Sequence, residues 1–119
     1  MAINSFSKAD RILKRPDFIQ LSRTGKKIQN RYFIVLYSPG HHYRPRLGIT
    51  VSKKVGSAVT RNRIKRLTRE YFRNNRNTLQ GVWDFNIIAR KESATLTSAQ
   101  IFASFEDLFT HISRKFEHQ

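Results

Sequence analysis

Seven cationic side chains stand between Arg61 and Arg76, in the segment Arg-Asn-Arg-Ile-Lys-Arg-Leu-Thr-Arg-Glu-Tyr-Phe-Arg-Asn-Asn-Arg, against one acid, Glu70. Side chains of this type in this density neutralise closely spaced phosphates, arginine through a planar fork of donors and lysine as a point charge. Wound as a helix at about 100° per residue, the segment puts Arg61, Lys65, Arg69 and Arg76 on one side, with Asn62, Arg66 and Arg73 beside them. Ile64, Leu67 and Tyr71 fall on the opposite side. Such a helix can bury an apolar stripe in a core while presenting cations to a polyanion. A surface helix that served solubility alone would mix both signs of charge.

The whole chain has the same bias. Its 119 residues carry 23 Lys and Arg against 8 Asp and Glu, a formal charge of +15. The expected partners are polyanions, and such a charge strains the free protein by self-repulsion. A membrane is not expected as that polyanion, because membrane binding needs a basic helix with exposed apolar residues opposite, and here the apolar faces read as core. There are no cysteines, which excludes disulfides and thiolate zinc sites. The N-terminal residues lack the apolar stretch of a signal peptide and no run reaches membrane-spanning length, so a cytoplasmic protein is expected. The length suits one domain over 1–119, able to bury roughly two thirds of its unfolded surface.

The elements that must position the basic segment can be read from pattern. Arg15 to Leu21 predicts a short helix, with Pro16 in its first turn, Asp17 at its positive end and Gly25 stopping it. Lys26 to Ile28 predicts a short extended piece and Tyr32 to Tyr37 a strand, closed by the turn signal Ser38-Pro39-Gly40. Leu47, Ile49 and Val51 alternate with Gly48, Thr50 and Ser52. That strand has one apolar face and one small or polar face, which could admit a ligand or another element. The basic helix is expected over about 59–76, with Thr60 or Ser57 available as its cap and Asn74, Asn75 and Asn77 at its far end. Trp83 to Ala89 predicts a fourth strand. Thr97-Ser98-Ala99-Gln100 has the capping-box pattern, and Ile101, Phe105, Leu108, Ile112 and Phe116, widened by Phe102 and Phe109, recur at helical spacing as core. The expectation is an α+β two-layer sandwich in the order αβββαβα, a four-stranded sheet with helices packed on it.

Protein-borne chemistry finds little support. Metal-assisted phosphodiester cleavage needs several converging carboxylates, and the acids here are dispersed, with only Glu106-Asp107 adjacent. His41-His42 follows a Pro-Gly turn without further ligands and reads as part of a basic loop, and His111 and His118 are weaker still. No catalytic residue and no metal ligand is expected in the protein. Single-stranded RNA is commonly held by a positive groove plus aromatic faces for base stacking. Phe18, Tyr32, Phe33 and Tyr37 are the available aromatics, and strand alternation sends Tyr32 to the face opposite Phe33 and Tyr37; one of those faces must be core. The open alternatives are a structural RNA-binding protein of ribosomal type, a DNA-binding helix and a free-standing nuclease. DNA is not expected, since no helix-turn-helix pattern or dimer zipper is visible.

The stretch from Leu47 to Arg73, L-G-I-T-V-S-K-K-V-G-S-A-V-T-R-N-R-I-K-R-L-T-R-E-Y-F-R, resembles the signature of the bacterial ribonuclease P protein subunit. Asp84 to Lys91 resembles that family's later strand and Phe18 its N-terminal phenylalanine. The resemblance implies a protein that binds the ribonuclease P RNA and precursor tRNA, while the RNA and its Mg²⁺ ions remove the 5′ leader. It implies RNA contact by Lys53, Lys54, Arg61, Asn62, Arg63, Lys65, Arg66, Arg69 and Arg73, and a leader cleft with Phe18 and Phe33 as candidates. The protein would bind no cofactor itself and would be monomeric within the holoenzyme. It further implies a left-handed crossover around the basic helix, against the right-handed base rate. The family often carries a second aromatic one turn after the position of Phe18, where this chain has Ser22.

Overall fold

The computed structural model describes residues 11–12, 14–39, 45–75 and 83–117. Helix α1 (Arg15–Thr24) holds Pro16 and Asp17 in its first turn, where a missing N–H is harmless and a carboxylate meets the positive helix end. Gly25 ends it, because a Cβ there would run into the Leu21 carbonyl and lie 3.2 Å from the Tyr37 carbonyl. Strands β1 (Lys26–Gln29) and β2 (Phe33–Pro39) form an antiparallel pair. Asn30 ties their connection: its Oδ1 accepts the Tyr32 and Phe33 amides at 2.9 Å, and its Nδ2 donates to Ser104 Oγ at 2.7 Å.

Strand β3 (Arg46–Thr50) leads through a turn into α2 (Ala58–Asn75), which starts one residue before the expected 59; the expected end at Arg76 lies outside the described residues. Ser57 caps it, its Oγ accepting the Thr60 N–H at 3.3 Å. After β4 (Trp83–Ala89) comes a 3₁₀ turn over Lys91–Thr95, which no sequence pattern had predicted. Helix α3 (Ser98–Glu117) opens with the reciprocal capping box: Thr97 N donates to Gln100 Oε1 at 2.9 Å and Gln100 N to Thr97 Oγ1 at 3.2 Å. Among the described residues the order is αβββαβα with this one added turn. His41, His42, His118, Arg76 and Asn77 lie outside the described residues, as does the Phe116 side chain. Among the described residues no helix is long and apolar enough to cross a membrane.

The sheet runs β1-β2-β4-β3. β4 pairs antiparallel with β2 and parallel with β3, so α2 is the crossover of a βαβ unit. One face carries Phe33, Val35 and Tyr37 from β2, Phe85, Ile87 and Ala89 from β4, and Leu47 from β3, all buried. Upon it lie α2, through Ile64, Leu67, Thr68, Tyr71 and Phe72, and α3, through Ile101, Phe105, Leu108, Phe109 and Ile112. Aromatic rings join the three layers: Phe33 to Phe105 at 4.5 Å, Phe85 to Phe109 at 5.2 Å, and Tyr71 to Phe105 at 5.3 Å between centroids. The Tyr71 hydroxyl donates to Glu106 Oε2 at 2.8 Å. Burial first, then this bond and the Glu106 charge, raise the Tyr71 pKa far above the ordinary tyrosine value, so the phenol stays a neutral donor at physiological pH.

Phe33 therefore requires a correction. Expected as a cleft aromatic, it is fully buried on the helix side of the sheet, because alternation along β2 turns it with Val35 and Tyr37 toward α3. Phe33→Ala should lower stability by about 3–5 kcal/mol through loss of burial plus a residual cavity. Urea unfolding of the free protein measures this, and a cost below about 1 kcal/mol would place the ring at a surface instead.

Candidate nucleic-acid interface

The cation-bearing residues of α2 are distributed by what the helix must bury. Thr68 and Phe72 join Ile64, Leu67 and Tyr71 below the surface, which makes the apolar stripe wider than the sequence pattern showed. Thr68 is accommodated because its hydroxyl donates to the Ile64 carbonyl at 2.7 Å. Arg61, Lys65, Arg69 and Arg73 are half-buried along one border of that stripe, and Asn62 and Arg66 are exposed beyond them. Tyr71 meets Phe102, Phe105 and Phe109 of α3, whereas Phe72 meets Phe85 of β4. At about 100° per residue, the Arg61-Lys65-Arg69 row then lies on the side of α2 turned away from α3, over the β3 edge of the sheet. Arg63 departs from the row. It sits on the α3 side, where its guanidinium donates to Ser98 Oγ at 3.4 Å.

Three further features favour an anion here. The first turn of α2 contains no acid, so its unpaired N–H groups and positive dipole end are not neutralised. Lys53 and Lys54 are exposed in the turn just before it. Arg61 Nε is enclosed and has no hydrogen-bond partner among the described residues.

Among the described residues the other face of the sheet is only partly covered, by α1. Phe18 lies directly over Gly48, so closely that a Cβ there would come 2.8 Å from Phe18 Cζ and still nearer to Cε1. Only glycine leaves room for the ring. A second link fixes α1 against the sheet end: Arg46 on β3 donates to both carboxylate oxygens of Asp84 on β4, at 2.9 and 2.8 Å, and lies 3.5 Å from Asp17 on α1. The hydrogen bond to Asp84 raises the Arg46 pKa against the opposing effect of burial, so this side chain is permanently charged and committed to structure.

Beside Phe18 the two layers leave an open cleft of about 500 Å³. Phe18, Ile19 and Ser22 line it from α1, and Leu36, Thr50, Asn86 and Ile88 from the sheet. Register explains the set: Leu36 pairs with Asn86, and Thr50 with Ile88, on the face opposite the core. Among the described residues no three or more His, Asp or Glu side chains are grouped to share a metal ion.

Phe18 and the α2 cations thus flank the β3 side of the sheet on its two faces. Phe33 is not brought to them. Asn86 and the Arg46-Asp84-Asp17 link are cleft components that were not singled out from sequence, whereas Gly48 and Thr50 were read as part of a small or polar face that could admit a ligand or another element. For Gly48 and Thr50 a signal existed in the alternation of small and apolar residues along β3. For Asn86 and the Arg46 link there was none, because both depend on which strands become neighbours.

A small basic α+β protein, with a cation row on one helix and a cleft beside an aromatic ring on the far side of the sheet, has the features of the class that binds extended polyanions. Similarity to known proteins narrows that class. The sequence profile of the family described as Ribonuclease P matches residues 6–113. The ribonuclease P protein component of Desulforapulum autotrophicum is 50% identical over 114 residues, covering 96% of this chain and 97% of its own. That of Desulfatibacillum aliphaticivorans is 46% identical with the same coverage. The solved ribonuclease P protein of Staphylococcus aureus superposes with a TM-score of 0.81 at 38% identity, over 89% of this chain and 96% of its own. The chain belongs to the ribonuclease P protein-component family.

Gly48→Ala should displace the Phe18 ring and cost about 1–3 kcal/mol by overpacking. In a Phe18→Ala background the same change should become neutral or stabilising, by up to about 1 kcal/mol, because an alanine then only restricts the unfolded chain. Denaturant unfolding of the four proteins gives the coupling; additive costs would mean that the ring does not rest on Gly48.

Proposed function

We propose that this chain is the protein subunit of a ribonuclease P holoenzyme that removes the 5′ leader of precursor tRNA in the cytoplasm. The carrying observation is the cleft beside Phe18, on the sheet face opposite the core, bordered on its β3 side by the cation-bearing helix. One monomer docks on the catalytic RNA through Arg61, Asn62, Arg63, Lys65, Arg66, Arg69 and Arg73, aided by Lys53 and Lys54. The single-stranded leader crosses the sheet, stacks on Phe18 and is covered by α1.

In this reading the protein's residues bind and orient, and none acts as acid, base or nucleophile. The guanidinium and ammonium groups lower the repulsion between RNA phosphates and leader phosphates, so the two strands can lie side by side at low counterion concentration. Asn62 adds a directional hydrogen bond among point charges. Arg46 stays with Asp84 and Asp17 and holds α1 in place. The Mg²⁺ ions would be held by the RNA and not by this chain, and would supply activation of the attacking water and stabilisation of the leaving oxygen.

Precursor tRNA incubated with the protein alone, with ribonuclease P RNA alone, and with both at low Mg²⁺ tests this directly. Stimulated cleavage at the mature 5′ end by the pair alone is expected; cleavage by the isolated protein, or no stimulation, would refute the proposal.

RNA affinity should also fall steeply with salt, with a log-log slope of about −0.7 to −0.9 per phosphate neutralised. Replacing Arg61, Lys65 and Arg69 together by Gln should make that slope shallower by about 2–3. An unchanged slope, measured by filter binding over a salt series, would remove the row from the interface.

A further inference from the structure

Asn86 stands out in the cleft floor. Its neighbours on that face, Ile34, Leu36 and Ile88, are apolar, yet Asn86 is only 6% exposed. The Thr50 hydroxyl lies 3.2 Å from Asn86 Oδ1 and engages the carbonyl end of the amide. The amide nitrogen, with two N–H donors, has no hydrogen-bond partner among the described residues and is not sealed from the cleft. That nitrogen opens onto the cleft, so its donors are available to water or to a ligand, whereas an apolar side chain would suit this position better if the floor served packing alone. Cross-strand pairing with Thr50 is the alternative role, but it engages only the amide oxygen and leaves both N–H donors without a protein partner among the described residues. A few fixed polar groups in a largely apolar cleft are what orient a ligand and set its specificity.

We propose that Asn86, oriented by Thr50, is a specificity-determining residue: its amide N–H donates to an acceptor on the edge of a leader base whose face rests against Phe18. This rests on the leader occupying the cleft, as argued above. Nucleobases present acceptors at different edge positions, and a donor held by a neighbouring hydroxyl favours the base whose acceptor falls opposite it. Phe18 supplies affinity for any base, since every base has a π-face. Asn86 would supply the choice among them, at one leader position.

The experiment uses the reconstituted holoenzyme with the unaltered protein, Phe18→Ala, Asn86→Leu or Thr50→Val. Each is titrated with precursor tRNAs carrying each of the four nucleotides in turn at every leader position, with mature tRNA as the reference and thermal unfolding of each protein in parallel. The unaltered protein should discriminate by about 3- to 10-fold at one position, the worth of a neutral hydrogen bond. Asn86→Leu should flatten that discrimination and leave mature tRNA binding unchanged. Thr50→Val, at an exposed position, leaves the fold intact and should reduce the discrimination by freeing the amide to rotate, which keeps the proposal testable even if Asn86→Leu unfolds. A base analogue lacking the preferred acceptor should lose affinity with the unaltered protein and nothing further with Asn86→Leu. If Phe18→Ala weakens leader binding while Asn86→Leu and Thr50→Val keep the full nucleotide preference, Asn86 does not read the leader and the cleft reading survives. If Phe18→Ala leaves leader affinity untouched, the cleft reading fails and the Asn86 proposal with it.

Discussion

Everything about this protein's surface follows from the burial of one stripe of α2 between the sheet and α3. Ile64, Leu67, Thr68, Tyr71 and Phe72 occupy that stripe, and rings from the sheet and from α3 close around them. A helix so rich in positive charge repels itself and has no tendency to fold alone. Packed this way it is held in place, and its cations stand along the border of the buried stripe and beyond it. Residues bordering the stripe become half-buried, which restricts their side chains.

The same packing produces a sheet with two unlike faces. With α2 and α3 on one side, strand alternation turns Ile34, Leu36, Asn86, Ile88, Gly48 and Thr50 to the other. Among the described residues one short helix covers part of that second face and leaves a cleft beside it. α1 is held at two points of different character, a ring seated on a glycine and an ion-paired arginine. The arginine link is largely shielded from water and hydrogen-bonded at both carboxylate oxygens, so it orients the helix; its net worth is limited by the cost of desolvating the charges. The cleft is therefore a consequence of incomplete coverage, and its shape depends on where α1 is anchored.

How far pattern reading went can be judged residue by residue. The capping box at Thr97, Gly25 as a stop and the strand around Ile87 were all legible because each depends on neighbours within a few positions. Phe33 was misplaced, because alternation separates it from Tyr32 but does not say which face meets the helices. The 3₁₀ turn after β4 carries no pattern of its own. Ser93 is buried there and its hydroxyl donates to the Arg90 carbonyl at 2.7 Å, a local bond that Ser forms in many contexts.

From sequence alone came the polyanion partner, the order of elements, the cationic helix and the absence of clustered carboxylates, since charge and short-range periodicity are properties of the chain itself. Tertiary structure decided which aromatic lines the cleft, that Arg46 braces α1 against the sheet, and that Asn86 stands in the cleft floor. These were settled by the placement of β4 between β2 and β3, which brings residues more than thirty positions apart into register. Contacts of that range depend on the assembled sheet, and no local pattern encodes them.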